Sequence, residues 1–141
     1  MSGPRFRIVL VEDAEPDVFL VRVALERAGL ESDLEVLDDG EKALDFIDRL
    51  EQDPAAPRPH LVLLDLNLPK KSGSQVLERV RQSPACGDVP VVILTSSESP
   101  ADKERAAQFK ATEYFKKPSR LDDFLKLGPL VSDLLTGRRA H

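Results

Sequence analysis

Four strand-like runs, three of them aliphatic, end in side chains that could do chemistry. IVLV at 8–11 is followed by Glu12 and Asp13, LVLL at 61–64 by Asp65, VVIL at 91–94 by Thr95 and Ser96, and the strand-like EYFK at 113–116 by Lys117 and Pro118. A carboxylate that closes a buried strand is costly unless something is there to use it. Brought together, three carboxylates, a hydroxyl and an ammonium would make a cation site beside a nucleophile. Two like charges about 4 Å apart repel by about 4 kcal/mol at an effective dielectric near 20. That is a sizeable share of the roughly 5–15 kcal/mol that holds a domain together. Only a cation, the lysine or a bound proton could relieve it. Carboxylate and carbonyl oxygens suit a hard divalent ion, and a partly hydrated site with few protein ligands suits magnesium better than calcium. No Cys/His spacing for zinc occurs. Glu12 and Asp13 taken alone could simply open the next helix, where acids are favoured. Four matched strand ends need more than that.

The elements that must position these groups alternate along the chain. Strands are expected at 5–11, 34–37, 61–65, 91–94 and 113–116. Helices are expected at 16–28, 41–50, 74–82, 100–109 and from about 120 to 135. Pro16 suits a first turn and Gly29 a stop. Asp39-Gly40 reads as a turn, and QDPAAPRP as a stiff loop too short to link domains. Ser99 with Asp102, and Ser119 with Asp122, have the capping-box pattern with Asp in place of Glu. The runs IVLV, LVLL and VVIL are apolar on both faces, as parallel strands covered by helices require. The handedness of strand crossovers then makes a doubly wound open sheet the simplest α/β topology. In such sheets the carboxyl ends of the strands share one rim, where ligands bind.

At 141 residues the chain reads as one domain, 1–141, with a core over about 5–135 and a tail at 136–141. A formal net charge of −5 argues against nucleic-acid or anionic-membrane surfaces. Cys86 has no partner for an internal disulfide and reads as inert, which fits a reducing cytoplasm. No signal peptide opens MSGPRFR, and no apolar run approaches the roughly 20 residues that cross a bilayer. His60 and His141 have no companion at ligand or triad spacing.

The sequence resembles a response-regulator receiver domain, the family of the bacterial chemotaxis regulator CheY. The resemblance is carried by VLVEDAEPD (9–17), LVLLDLNLPKKSG (61–73), VVILTS (91–96) and YFKKP (114–118), and it covers essentially the whole chain. The wording APRPHLVLLDLNLP most resembles the single-domain subgroup that partners phytochrome-type histidine kinases. The resemblance implies a flavodoxin-like, five-stranded parallel sheet of order 2-1-3-4-5 with five helices. It also implies a role for each matching residue. Asp65 would take a phosphoryl group from a phosphohistidine on a sensor kinase or phosphotransfer protein. Glu12, Asp13, Asp65 and the Asn67 carbonyl would hold Mg²⁺. Lys117 and Thr95 would engage the phosphoryl oxygens, and Tyr114 would turn inward as Thr95 moves. The Lys117-Pro118 bond would be cis. Pro69 and Gly73 would only shape the loop. The output would be protein contacts rather than an enzymatic reaction. Three positions depart from the pattern: Glu12 for the commoner Asp, Ala14 where the subgroup often has Asn, and Lys110-Ala111 for Gly-Ala.

Two surfaces could choose partners. Phe19, Leu20 and Val23 fall opposite the core stripe of the first helix and would dock a kinase helix. Leu127, Leu130 and Leu134 widen the apolar side of the last helix and could pair two copies of the chain, although Gly128-Pro129 could instead turn that strip inward. Two rival functions fit the residues less well. A Mg²⁺-dependent aspartyl-phosphate hydrolase that resembles the haloacid dehalogenases would need Asp where Asn67 stands, and a pseudo-receiver scaffold would not keep the full set of acids, Thr95 and Lys117. Neither nucleotide-binding glycine motif appears.

Overall fold

The computed structural model describes residues 5–137. Five strands, β1 (Phe6–Val11), β2 (Ser32–Leu37), β3 (Leu61–Leu64), β4 (Val91–Thr95) and β5 (Glu113–Lys116), form one parallel sheet in the order β2-β1-β3-β4-β5. The central strands β3 and β4 are buried along their whole length. That burial is what an uninterrupted aliphatic run implies. β2 lies at an edge, so its side chains alternate: Leu34 and Val36 pack inward while Asp33 and Glu35 are exposed. The alternation explains why sequence signals showed only its last four residues, 34–37.

Between the strands lie α1 (Glu15–Arg27), α2 (Gly40–Gln52), α3 (Gly73–Gln82) and α4 (Pro100–Gln108). Two helical segments, α5 (Leu121–Phe124) and α6 (Leu127–Thr136), follow β5. One apolar core joins Val9, Val11, Val62, Leu64 and Ile93 to α2, α3 and Ala106 of α4. The second joins Ile8, Leu10, Leu61, Leu63, Val92 and Leu94 to α1, Phe124 and α6. Alternate residues of one strand therefore feed opposite cores. Each buried Leu, Ile or Val contributes roughly 1.5–3 kcal/mol on removal from water.

The last helix, expected from about 120 to 135 with Gly128-Pro129 inside it, is broken at Leu125–Lys126. Pro129 has no N–H to offer the carbonyl four residues back. The Leu125 carbonyl instead accepts from the Gly128 N–H at 3.1 Å, a tighter turn. Gly128 is required for another reason, since a Cβ there would come within 2.3 Å of the Ala24 carbonyl oxygen of α1. This close approach pulls the following turn inward. Leu127 is fully buried, and Leu130 and Leu134 pack against the second core, so the expected outer strip is mostly an inner one.

Helix starts follow capping chemistry only in part. Ser72 and Gln75 form a full capping box at α3. Ser99 caps α4 by accepting from the Asp102 N–H, but the Asp102 carboxylate accepts from Ser97 Oγ at 2.5 Å instead of reaching back. Ser119 caps nothing; α5 begins after Arg120, without a side-chain cap. Lys110 does take the left-handed conformation usually given to glycine, with φ 58°. The Arg81 guanidinium holds that turn by donating to the carbonyls of Phe109 and Lys110, and also to those of Gly87 and Val89. Of the expected GRRA tail, Gly137 closes α6 in the left-handed conformation, and the remaining residues, 138–140, lie outside the described residues together with His141.

Candidate functional site

The strand ladders deliver the site. Glu12 follows β1, held by its N–H to the Leu37 carbonyl at 3.0 Å. Asp65 follows β3, its N–H donating to the Val11 carbonyl at 3.0 Å. Thr95 ends β4, and its carbonyl accepts from the Lys117 N–H at 2.7 Å, which extends the β4–β5 ladder by one rung. Four strand ends thus converge on one rim, as the parallel topology requires. The Lys117-Pro118 bond is trans, contrary to expectation: no described peptide bond is cis. The extra rung aims Lys117 at the rim without it.

Lys117 Nζ sits among three carboxylates. It lies 2.5 Å from Glu12 Oε1, 2.7 Å from Asp17 Oδ2 and 3.0 Å from Asp65 Oδ2. The approach to Glu12 is an ion contact without hydrogen-bond alignment, which leaves Glu12 Oε1 a buried oxygen with no hydrogen-bond donor. Glu12 Oε2 accepts from the Ala14 N–H at 3.2 Å. Burial pushes the Glu12 carboxyl up to about 7, opposed by Lys117 and reinforced by the charge of Asp65. Burial draws the Lys117 ammonium down, but Asp17, Glu12 and Asp65 together outweigh it and leave it above its ordinary value.

Asp65 Oδ1 accepts from the Asn67 N–H at 3.0 Å, which fixes the carboxylate at the mouth of its loop. Gly73 packs against that loop so closely that a Cβ would lie 2.2 Å from the Asp65 carbonyl oxygen. The loop-shaping role expected of Gly73 is therefore a steric one. The buried Thr95 hydroxyl accepts from the Ser97 N–H at 3.3 Å and from Asn67 Nδ2 at 3.5 Å. The Tyr114 phenol donates to the Ser97 carbonyl at 2.9 Å, so Ser97 links Thr95 to Tyr114. Burial raises the Tyr114 phenol above its ordinary value.

All seven predicted site residues lie on or beside this rim: Glu12, Asp13, Asp65, Asn67, Thr95, Tyr114 and Lys117. Asp17 and Ser97 also belong to it and were not anticipated. Asp17 has a sequence signal, since it stands in the first turn of the helix that follows Glu12-Asp13. That signal also fits ordinary helix-dipole stabilisation. Of the expected kinase-facing stripe, Phe19 is 64% exposed, whereas Leu20 packs against the second core. Cys86 is buried and its thiol is raised by that burial, which fits the inert role expected of it.

Comparison with known proteins decides the family. A model described as the response regulator receiver domain matches residues 8–127. The chain belongs to the response-regulator receiver family. The receiver is 37% identical over 126 residues to the response regulator Rcp1 of Synechocystis sp., covering 89% of this chain and 86% of that protein. It superposes on the phosphorylated cyanobacterial phytochrome response regulator RcpA with a TM-score of 0.85 at 28% identity, covering 97% of this chain and 98% of that one. The Mn²⁺-bound form of Rcp1 gives a TM-score of 0.80 at 35% identity, with 91% and 92% covered. The doubly wound fold of order 2-1-3-4-5 is that of this family.

The receiver's acidic trio suits a hard divalent ion. One carboxylate oxygen each from Glu12, Asp13 and Asp65 lies within 4.8 Å of the others. The buried Glu12 Oε1 meets only the Lys117 ammonium and accepts no aligned hydrogen bond, so it has room for a metal ion as a second positive partner. No nitrogen or sulfur donor competes in that trio, so the donor set is all oxygen.

Proposed function

We propose that this receiver is a phosphorylation-operated switch that takes a phosphoryl group on Asp65 from a sensor histidine kinase, of the phytochrome type, or from a histidine phosphotransfer protein. The observation that carries the reading is the convergence of Glu12, Asp13, Asp65, Thr95 and Lys117 on one rim. The likeness to phytochrome response regulators supports the choice of kinase.

Asp65 acts as nucleophile. One carboxylate oxygen bonds to phosphorus while the P–N bond of the phosphohistidine breaks and its electron pair returns to the imidazole. The Asn67 N–H holds Asp65 Oδ1, which leaves Oδ2, on the Lys117 side, as the attacking oxygen. Mg²⁺ held by Glu12, Asp13, Asp65 and the Asn67 carbonyl would neutralise charge on the transferring group. Lys117 pairs with a phosphoryl oxygen. Thr95 already accepts two hydrogen bonds, so its hydroxyl proton is what it can offer a phosphoryl oxygen. Drawing Thr95 toward the phosphoryl group loosens Ser97 and with it the Tyr114 phenol, and the surface near β5 changes. Phosphorylation thereby shifts an existing equilibrium, and the output is a protein contact.

Phe19, exposed on α1 beside the rim, is the apolar contact for the kinase helix. Pairing of two copies through the last helix region would draw on Leu121, half exposed, because Leu127 is enclosed. The cytoplasm fits the single free Cys86, and among the described residues no helix is long and apolar enough to cross a membrane. Incubation with an autophosphorylated phytochrome-type kinase tests the reading. Label should move to this chain stoichiometrically; steady release of phosphate from a phosphomonoester would instead mark a hydrolase.

A further inference from the structure

Asp17 is the partner of Lys117 that the phosphoryl-transfer reading does not use. An ammonium has three N–H donors, and Lys117 faces three carboxylates, at 2.5, 2.7 and 3.0 Å. Two of its N–H groups donate to Asp17 and Asp65, and its third side is closed by the ion contact with Glu12. A phosphoryl group on Asp65 brings new oxygens to the same ammonium, so one existing contact must yield. Asp65 carries the group and remains beside Lys117. Glu12 is 1% exposed and cannot reach water. Asp17 is 25% exposed, sits in the first turn of α1, and lies outside the trio suited to a cation. It alone can turn to solvent at small cost.

We propose that Asp17 is a positioning residue: it occupies Lys117 in the resting protein, is displaced when a phosphoryl group arrives on Asp65, and so sets how readily the pocket accepts phosphoryl. The proposal rests on the reading of Asp65 as phosphoacceptor. A partly exposed ion pair is worth up to about 1 kcal/mol. Removing that competitor should therefore strengthen phosphoryl binding by up to about fivefold.

The test uses the whole chain with magnesium and titrates beryllofluoride, an inert stand-in for the phosphoryl group, by calorimetry. Asp17→Asn keeps the shape of the side chain and removes its charge; it should bind more tightly than the parent, by up to about fivefold. Asp17→Ser should do the same, which guards against a folding defect peculiar to one variant. Asp17→Glu, which restores the carboxylate, should bind like the parent. A merely structural role would move the urea midpoint and leave this ordering absent. Equal or weaker binding by Asp17→Asn and Asp17→Ser, or tight binding by Asp17→Glu, would overturn the proposal while leaving Asp65 as the acceptor. If the parent itself binds no beryllofluoride, the phosphoacceptor reading fails first and this inference falls with it.

Discussion

Lys117 Nζ stands 3.0 Å from Asp65 Oδ2, so the residue after β5 reaches across the end of β4 to the residue after β3. The contact joins two nearly enclosed side chains, 12% and 7% exposed. Buried charges of this kind are costly to separate but are weak evidence for net stability. Their value here is in holding a nucleophile and its counter-charge at one point.

Lys117→Met should therefore destabilise the fold, because Glu12 and Asp65 lose their cation. The expected loss is about 3 kcal/mol, read from urea unfolding, with part of it regained on adding magnesium. An unchanged midpoint would mean that the ammonium does not neutralise the pocket.

The turn at Lys110 makes a separate prediction. A non-glycine residue in the left-handed region costs about 1–2 kcal/mol. Lys110→Gly should relieve about 1 kcal/mol of that, less the entropy glycine loses on folding. Arg81→Leu should cost about 3 kcal/mol, because four backbone carbonyls lose a shared charged donor. Thermal melts of the two variants, shifted in opposite directions, would bear out the clasp.

Acid stability should depend on Glu51. Hydrogen bonds from Arg79 and then from Ser83 hold its carboxyl down at about 2, below the ordinary 4.5. A depressed carboxylate contributes stability that is present above 4.5 and lost as pH falls through about 2. The gap between the parent and Glu51→Gln in urea midpoint should be open near neutrality and close over that window. A gap independent of pH would show that the contact is not ionic.

Kinase recognition should depend on Phe19. Phe19→Asp should slow transfer from the kinase at least about tenfold, the loss of an apolar contact worth about 1.4 kcal/mol, while labelling by acetyl phosphate stays at the parent rate. Equal loss with both donors would place Phe19 inside the fold's support of the pocket instead.

Much of this arrangement was legible in the residues. IVLV, LVLL and VVIL can be little else than doubly covered strands, and once they are parallel their ends must meet. The site followed from that topology. What escaped was decided by local competition. Asp17 looked like any helix-opening acid, and only the reach of Lys117 distinguishes it. Ser119 lost its capping role because α5 starts one residue later, after Arg120. The left-handed turn at Lys110 is held by Arg81, nearly thirty residues earlier, a relationship no local pattern reveals. The break at Leu125–Lys126 was signalled by Gly128-Pro129, but its direction depended on the Gly128 contact with Ala24.

Intact-mass measurement after incubation with acetyl phosphate and magnesium tests the central claim most directly. The parent should gain one phosphoryl group, lost on base treatment as an acyl phosphate is, and Asp65→Asn should gain none. A parent that stays unlabelled, or an Asp65→Asn variant labelled as fully as the parent, would contradict the account.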